Sequence, residues 1–113
     1  MDTDLFIDVL RGVRRLDMTG QRVWYSVVTR AELFSGEGAE EDPIRRILSP
    51  FRELGVDRVI AERAGQLRRK SGLATPDALI AATALEHGLD LVTRNARDFK
   101  GIPGLQVRDP STM

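Results

Sequence analysis

Carboxylic acids stand close to threonines at four places along the chain, and this pairing is the clearest chemical signal in the sequence. The four places are Asp2 and Asp4 around Thr3, Glu32 after Thr29, Asp77 after Thr75, and Asn95 with Asp98 after Thr93. Carboxylate oxygens are the ligands that Mg²⁺ prefers, and Mn²⁺ accepts the same donors. If several of these acids converge, the chemistry they predict is that of a divalent metal site.

Each of these acids also fits the start of a helix. A threonine caps a helix with its hydroxyl, and an acid in the first turn is stabilised by the helix dipole. The stretch "TRAE" reads as a capping box in which Glu32 reaches back to the amide of Thr29. In an open parallel sheet, however, helices start near the carboxyl ends of strands, where ligands bind. Acids that meet there repel one another unless a cation is present, so both interpretations stay open for each position.

The composition limits which metal such a site could hold. The chain has 113 residues, with no cysteine and one histidine, His87. A thiolate site is therefore excluded and a histidine-rich zinc site is disfavoured, which leaves oxygen ligands and Mg²⁺ or Mn²⁺. His87 itself is expected to be a cation at a helix end.

The same bulk properties predict one globular domain that spans residues 1–113. Hydrophobic residues make up 42% and charged residues 30% of a chain whose net charge is zero. No apolar run reaches the roughly 18 residues of a membrane span, and the beginning does not resemble a secretory signal. We therefore expect a cytoplasmic protein without a membrane partner, and a frayed tail at 110–113.

Hydrophobic periodicity indicates an alternation of helices and strands. The predicted helices cover 5–10, 29–34, the segment from Pro43 to Phe51, 58–70 and 75–86, and the predicted strands cover 23–28, 53–57, 89–93 and 105–109. Trp24 and Tyr25 are expected in the core, and Gly88 is expected to end the helix over 75–86 in a left-handed conformation. This alternation favours a parallel α/β sheet in a three-layer sandwich.

Four stretches resemble the PIN-domain ribonucleases, and in particular the VapC-type toxins of bacterial toxin–antitoxin pairs. These stretches are "DTDLFIDVLRG", "SVVTRAELFSG", "TPDALIAATALEHGLDLVTRNARDF" and "LQVRD". The resemblance implies a PIN-like α/β/α sandwich with a central, mostly parallel sheet. It also implies an endoribonuclease that depends on Mg²⁺ or Mn²⁺ and hydrolyses RNA phosphodiester bonds, a cognate antitoxin and a homodimer.

The resemblance also assigns roles to individual positions. Asp2, Glu32 and Asp77 match the acidic metal ligands and catalytic residues of the family. The fourth position is open between Asn95, which stands in a slot that holds an acid in some members, and Asp98, which we expect to be a weaker or water-mediated ligand. The implied supporting groups around these acids are Thr3, Asp4, Thr93 and Asn95. From their charge alone, several basic residues could contact the RNA backbone or simply form a solvated face. Arg94 and Arg97 are favoured because they flank the proposed acidic edge, and Arg11 is predicted with them; the wider set is Arg14, Arg15, Arg68, Arg69, Lys70 and Lys100.

The beginning of the chain departs from the family pattern. Only Met1 precedes Asp2, where the family has a hydrophobic strand, so the first strand is expected to be truncated. This keeps open a second function, a weak or inactive PIN-like module that only binds an antitoxin-like partner. A third, a Mg²⁺ phosphatase that uses "DTD" as its nucleophile, is disfavoured because Lys100 is the only lysine late in the chain. For dimerisation, the expected apolar face is contributed by the first helix or by the 44–67 region. In that region Ile44, Ile47, Leu48 and Phe51 could instead pack inside the monomer.

Overall fold

The computed structural model describes Thr3 and residues 23–110. Its elements are β1 (Trp24–Ser26), α1 (Val27–Ser35), α2 (Glu41–Leu48), β2 (Arg52–Leu54), α3 (Arg58–Ser71), α4 (Thr75–His87), β3 (Leu91–Val92), a 3-10 helix (Ala96–Phe99) and β4 (Val107–Arg108). The helix predicted over 5–10 lies outside the described residues, and so do the predicted site residues Asp2, Asp4 and Arg11.

The four described strands form two parallel pairs, which confirms the predicted parallel α/β class. Strand β1 pairs with β2, with Trp24 opposite Arg52, and β3 pairs with β4, with Leu91 opposite Val107. The indole of Trp24 donates a hydrogen bond to the Asp90 carbonyl oxygen at 2.9 Å, so the amino ends of β1 and β3 lie close together. All four strands are shorter than the sequence predicted, because regular pairing extends over only two or three residues of each segment.

Helix α1 begins earlier than its sequence predicted. The β-branched pair Val27 and Val28 favours a strand, yet both residues are helical. Ser26 is the N-cap, and its hydroxyl accepts a hydrogen bond from the Val28 amide at 3.1 Å. This cap satisfies an amide that the new helix leaves without a carbonyl partner, and it fixes the turn from strand to helix at the carboxyl end of β1.

Helix α4 is the buried helix that the sequence predicted. Its alanines are small enough for close packing on α3, α1 and β1, and six of its residues are buried: Ala78, Ile80, Ala81, Ala82, Thr83 and Ala84. Pro76 stands in the first turn, where its missing amide is not needed. Gly88 ends the helix with φ of 62° and donates its amide to the Ala84 and Leu85 carbonyls, as the left-handed cap predicts.

Helix α3 runs back against α4 and is joined to it by three residues. The Asp57 carboxylate accepts from the Ile60 amide at 2.9 Å and so caps α3 at its start. Ile60 and Ala64 lie on its buried face, and Gly72 ends it with φ of 72°. The interface between α3 and α4 forms most of the larger hydrophobic core.

A smaller core lies under α1 and α2. It contains Tyr25, Leu33, Ile44 and Leu48, all buried. Ile44 and Leu48 therefore pack inside the monomer, and the expectation that they add to an outer apolar face is wrong. No helix in the described part of the chain is long and apolar enough to cross a membrane.

Candidate active site

The predicted site residues come from two strand ends and one helix start. Strand β1 leads directly into α1 at Ser26, and β3 leads to Thr93. Helix α4 reaches its end at His87 shortly before β3 begins at Leu91. Asp77, at the opposite end of α4, therefore lies about 15 Å along the helix axis from His87, since the helix rises about 1.5 Å per residue. Because α4 ends close to the amino end of β3, its first turn, which contains Asp77, lies away from that end of the strand.

A row of polar side chains follows β1. Ser26 and Thr29 are fully buried, and Glu32 is half-buried one turn further along α1. Thr3 is also buried, and its Oγ1 lies 3.2 Å from the Thr29 Oγ1 and 2.5 Å from the Glu32 Oε1. Thr3 is thereby joined to α1 by two hydrogen bonds between side chains.

The direction of these two hydrogen bonds follows from the number of protons. A carboxylate only accepts, so the single Thr3 hydroxyl proton is donated to Glu32. The Thr29 hydroxyl must then donate to the Thr3 oxygen. Each hydroxyl acts as a donor in a chain that ends on the Glu32 carboxylate, which fixes the orientation of that carboxylate.

This arrangement corrects the capping-box interpretation of "TRAE". Thr29 is the third residue of α1 and not its cap, because Ser26 holds that position. The Glu32 carboxylate accepts a hydrogen bond from Thr3, a residue 29 positions away, in place of the predicted contact with the Thr29 amide. The sequence did contain one missed signal: Ser26, Thr29 and Glu32 recur every three residues, a spacing that puts them on one side of a helix.

Asp77 is half-buried in the first turn of α4. The N-cap of α4 is Ala74, which makes no side-chain capping bond, and Thr75 is already the first helical residue. The prediction that Thr75 caps this helix is therefore wrong. Since α4 packs against both α1 and β1, Asp77 belongs to a helix that borders the Thr3–Glu32 pair.

The segment after β3 carries the remaining predicted residues. Thr93 is fully buried, and its hydroxyl accepts a hydrogen bond from the Asn95 amide at 3.0 Å. Thr93 therefore shapes a tight turn and does not cap the 3-10 helix, whose N-cap is Asn95. Asn95 is half-buried and Asp98 is exposed. Two predicted RNA contacts, Arg94 and Arg97, are exposed in the same segment.

Among the residues that the structure describes, no three histidine, cysteine or acidic side chains are grouped closely enough to hold a metal ion. The predicted ligand set includes Asp2, which is outside that range. Of the described members of the set, Glu32 and Asp77 are half-buried, whereas Asp98 is exposed to solvent. His87 is exposed at the far end of α4 from Asp77.

A second polar network supports α1 from the side of β2. The Tyr25 hydroxyl donates to the Glu53 carboxylate at 2.9 Å and accepts from the Arg30 guanidinium at 2.9 Å, while Arg30 also binds Glu53 directly at 2.5 Å. The hydrogen bond from Arg30 lowers the pKa of Glu53, and burial raises the pKa of Tyr25. The network joins β1, β2 and α1, and it fixes the helix that carries Glu32.

Known proteins resemble this chain over most of its length. The PIN domain family model matches residues 2–105. Ribonuclease VapC10 of Mycobacterium tuberculosis is 35% identical over 116 residues, a match that covers 88% of this chain and 84% of that protein. The tRNA(fMet)-specific endonuclease VapC of Salmonella typhimurium is 32% identical, with 84% and 80% covered.

Solved structures show the same fold. A toxin–antitoxin complex from Klebsiella pneumoniae contains a chain that is 39% identical and superposes with a TM-score of 0.79, with 92% of each chain covered. DNA-bound VapBC from Salmonella typhimurium contains a chain that is 27% identical, with a TM-score of 0.80 and coverage of 96% of this chain and 94% of that one. With the family match, the identity to VapC10 and the shared fold taken together, the chain belongs to the PIN domain family.

Proposed function

We propose that this protein is a divalent-metal-dependent endoribonuclease that acts in the cytoplasm as the toxin of a type II toxin–antitoxin pair. The observation that carries the proposal is the half-buried Glu32 carboxylate, which accepts a hydrogen bond from Thr3 on the helix that follows β1. Helix α4, which opens with Asp77, packs against the same helix and strand. Two relatives that match most of the chain are named a ribonuclease and a tRNA(fMet)-specific endonuclease.

The donor set fits a hard divalent cation. The described candidates are carboxylates, Glu32 and Asp77, with Asp98 as a weaker one, and Asp2 completes the proposed set. These oxygen donors suit Mg²⁺ or Mn²⁺, and the chain has no cysteine that would favour a softer metal. When bound, such an ion would neutralise charge on the phosphate and lower the pKa of a water molecule.

The residues of the chain would orient the other components of the reaction. Glu32, with one carboxylate oxygen held by Thr3, has its second oxygen to orient the attacking water or to bind the metal. Asn95 and Asp98 follow the buried Thr93, which holds the turn that positions them. Arg94 and Arg97, on the exposed side of that turn, would contact RNA phosphates with paired hydrogen bonds.

The protein partners belong to the same proposal. The solved relatives include toxin–antitoxin complexes, and we propose that this chain binds a cognate antitoxin that inhibits it. We also propose a homodimer. Ile47 and Phe51 are half-buried in the monomer and supply apolar surface for one of these contacts.

RNA cleavage with and without a chelator tests the activity, and Asp77→Asn tests the site. The purified chain should cleave RNA in Mg²⁺ or Mn²⁺ and stop in EDTA. Asp77→Asn keeps size and shape but removes one negative charge, so cleavage should be lost while the melting temperature stays equal to or above that of the parent. Asp57→Asn is the matched control, because Asp57 caps α3 and asparagine caps a helix equally well.

Two results would refute this assignment. Cleavage by Asp77→Asn at the parent's rate in limiting Mg²⁺ would make Asp77 a residue of the helix start only. If the parent binds an antitoxin but cleaves no RNA in either metal, the chain is the inactive interaction module.

A further inference from the structure

Several half-buried or exposed arginines of the described chain are paired with acids. The pairs are Arg30 with Glu53, Arg45 with Glu41 and Asp42, Arg63 with Glu86, and Arg108 with Asp90. These side chains are largely neutralised by their partners. They are therefore poor candidates for binding another anion.

The last turn of α3 differs from this pattern. It contains Arg68, Arg69 and Lys70, all exposed. None of the three forms an ion pair with an acid in the part of the chain that the structure describes. Three adjacent cations are thus concentrated at one corner of the molecule.

That corner is rigidly attached to the start of α4. Gly72 donates its amide to the Arg68 carbonyl at 3.0 Å, and the Arg68 Nε donates to the Leu73 carbonyl at 2.9 Å. Ala74 accepts from the Ala78 amide at 2.9 Å, and Leu73 is buried in the core. Every residue between the two helices is therefore fixed by a hydrogen bond or by burial.

The consequence is a fixed relation between the cations and Asp77. Lys70 is seven positions before Asp77, and the chain reverses direction between them, so both lie at the same end of the α3–α4 pair. Packed helix axes are about 8–10 Å apart. A nucleic acid that reaches Asp77 therefore has backbone phosphates within reach of the arginine and lysine side chains of this turn.

We propose that Arg69 and Lys70 bind backbone phosphates of the RNA on the side of Asp77 that faces the α3–α4 corner, with Arg68 holding the corner in shape. The proposal rests on the proposed ribonuclease function, and it assigns the direction in which the RNA leaves the acidic site. Because phosphates carry no sequence information, these two residues contribute affinity and not sequence preference.

A different role explains the same residues without RNA. Cations in the last turn of a helix interact favourably with the helix dipole. That role affects stability alone. It predicts a lower melting temperature for variants that lose the charges and no change in RNA affinity.

The experiment compares two double variants of equal charge. Arg69→Ala with Lys70→Ala removes the proposed contacts. Arg46→Ala with Arg52→Ala is the control. Arg46 is in the last turn of α2 and Arg52 begins β2; both are exposed, and neither belongs to the α3–α4 corner. Binding of a short labelled single-stranded RNA of mixed sequence is measured by anisotropy in an Asp77→Asn background without divalent cation, over a range of salt. Cleavage is measured separately in the parent background.

The first double variant should bind at least about tenfold more weakly, since contacts to charged groups are among the strong ones. Its slope of log affinity against log salt should fall by about 1.4, or roughly 0.7 for each lost phosphate contact. KM should rise more than kcat falls, equally for two RNA sequences, and the control should match the parent.

If the two double variants have the same RNA affinity and the same salt slope, the assignment of Arg69 and Lys70 is wrong. Cleavage of RNA by the parent would still support the ribonuclease function in that case. A loss of affinity for one RNA sequence only would overturn the assignment as well. Absence of both cleavage and RNA binding in the parent would refute the function and this proposal together.

Discussion

The Thr3 hydroxyl and the Glu32 carboxylate are joined by a hydrogen bond that links residues 29 positions apart. Thr3 is buried, and its oxygen also accepts from Thr29, another buried hydroxyl. Thr3 is therefore part of the support for α1. The contact gives the half-buried Glu32 carboxylate a defined orientation.

Replacing Thr3 by valine should destabilise the protein and weaken its activity. Valine has nearly the same shape, but Glu32 loses its donor and the buried Thr29 hydroxyl loses its acceptor. We expect a loss of about 1–3 kcal/mol in the free energy of unfolding, with a fall in kcat measured on RNA. Thr3→Ser, which keeps the hydroxyl, should retain most of both, and a valine variant as stable and active as the parent would contradict the support role.

The pH dependence of stability should change when Glu53 is replaced by glutamine. Because Arg30 lowers the pKa of Glu53 in the folded state, the ionised carboxylate stabilises the fold above its unfolded pKa. This contribution is lost as the pH falls through the lower, folded pKa. The stability difference between the parent and Glu53→Gln should therefore be largest near neutral pH and shrink in acid.

Chemical denaturation at a series of pH values measures this difference. The Arg30 and Glu53 side chains are 36% and 38% exposed, so added salt should reduce the difference as well. Glu41→Gln is a suitable control, because its partner Arg45 is more exposed, at 53%. A stability difference that grows as the pH falls would contradict a lowered pKa for Glu53 in the folded protein.

Sequence patterns predicted the elements that depend on local chemistry. Helix α4 follows from its alanine-rich composition, Pro76 and Gly88, and each of these acts within its own turn. The start of α1 was misplaced because Ser26 and Thr29 are both good caps, and the choice between them depends on the burial of Thr29 against Thr3. Nothing near Thr29 in the sequence encodes that contact.

The hydrogen-bond networks that support the candidate site could not be predicted from the sequence. Tyr25 binds Glu53 across 28 positions, and Trp24 binds the Asp90 carbonyl across 66. Such pairs depend on how β1 lies against β2 and β3. Tyr25 and Trp24 were predicted as core residues in preference to base-stacking ones, and their burial confirms the core position. The hydrogen-bond partners of their polar atoms could not be predicted from the sequence.

Light scattering should show a dimer that depends on Ile47. A lysine at this half-buried position of α2 would place a charge in the proposed apolar contact, so Ile47→Lys should be monomeric at concentrations where the parent is dimeric. Gln106→Lys is the control, because Gln106 is exposed just before β4 and lies outside the 44–67 region. A monomeric parent at high concentration would refute dimerisation, and a dimeric Ile47→Lys would place the contact elsewhere.

The same substitution at two glycines should change stability in opposite directions. Gly65 lies inside α3, and a Cβ there would meet no atom within 4 Å, so Gly65→Ala should stabilise the protein by about 0.5–1 kcal/mol through helix propensity. Gly88 is equally open but has φ of 62°. Alanine at Gly88 should lower the free energy of unfolding by about 1–2 kcal/mol, because a side chain disfavours the left-handed conformation.

Thermal unfolding should therefore give a higher melting temperature for Gly65→Ala and a lower one for Gly88→Ala, with RNA cleavage at low temperature unchanged in both. Two shifts of the same sign would show that space around the glycine, and not backbone conformation, controls the effect.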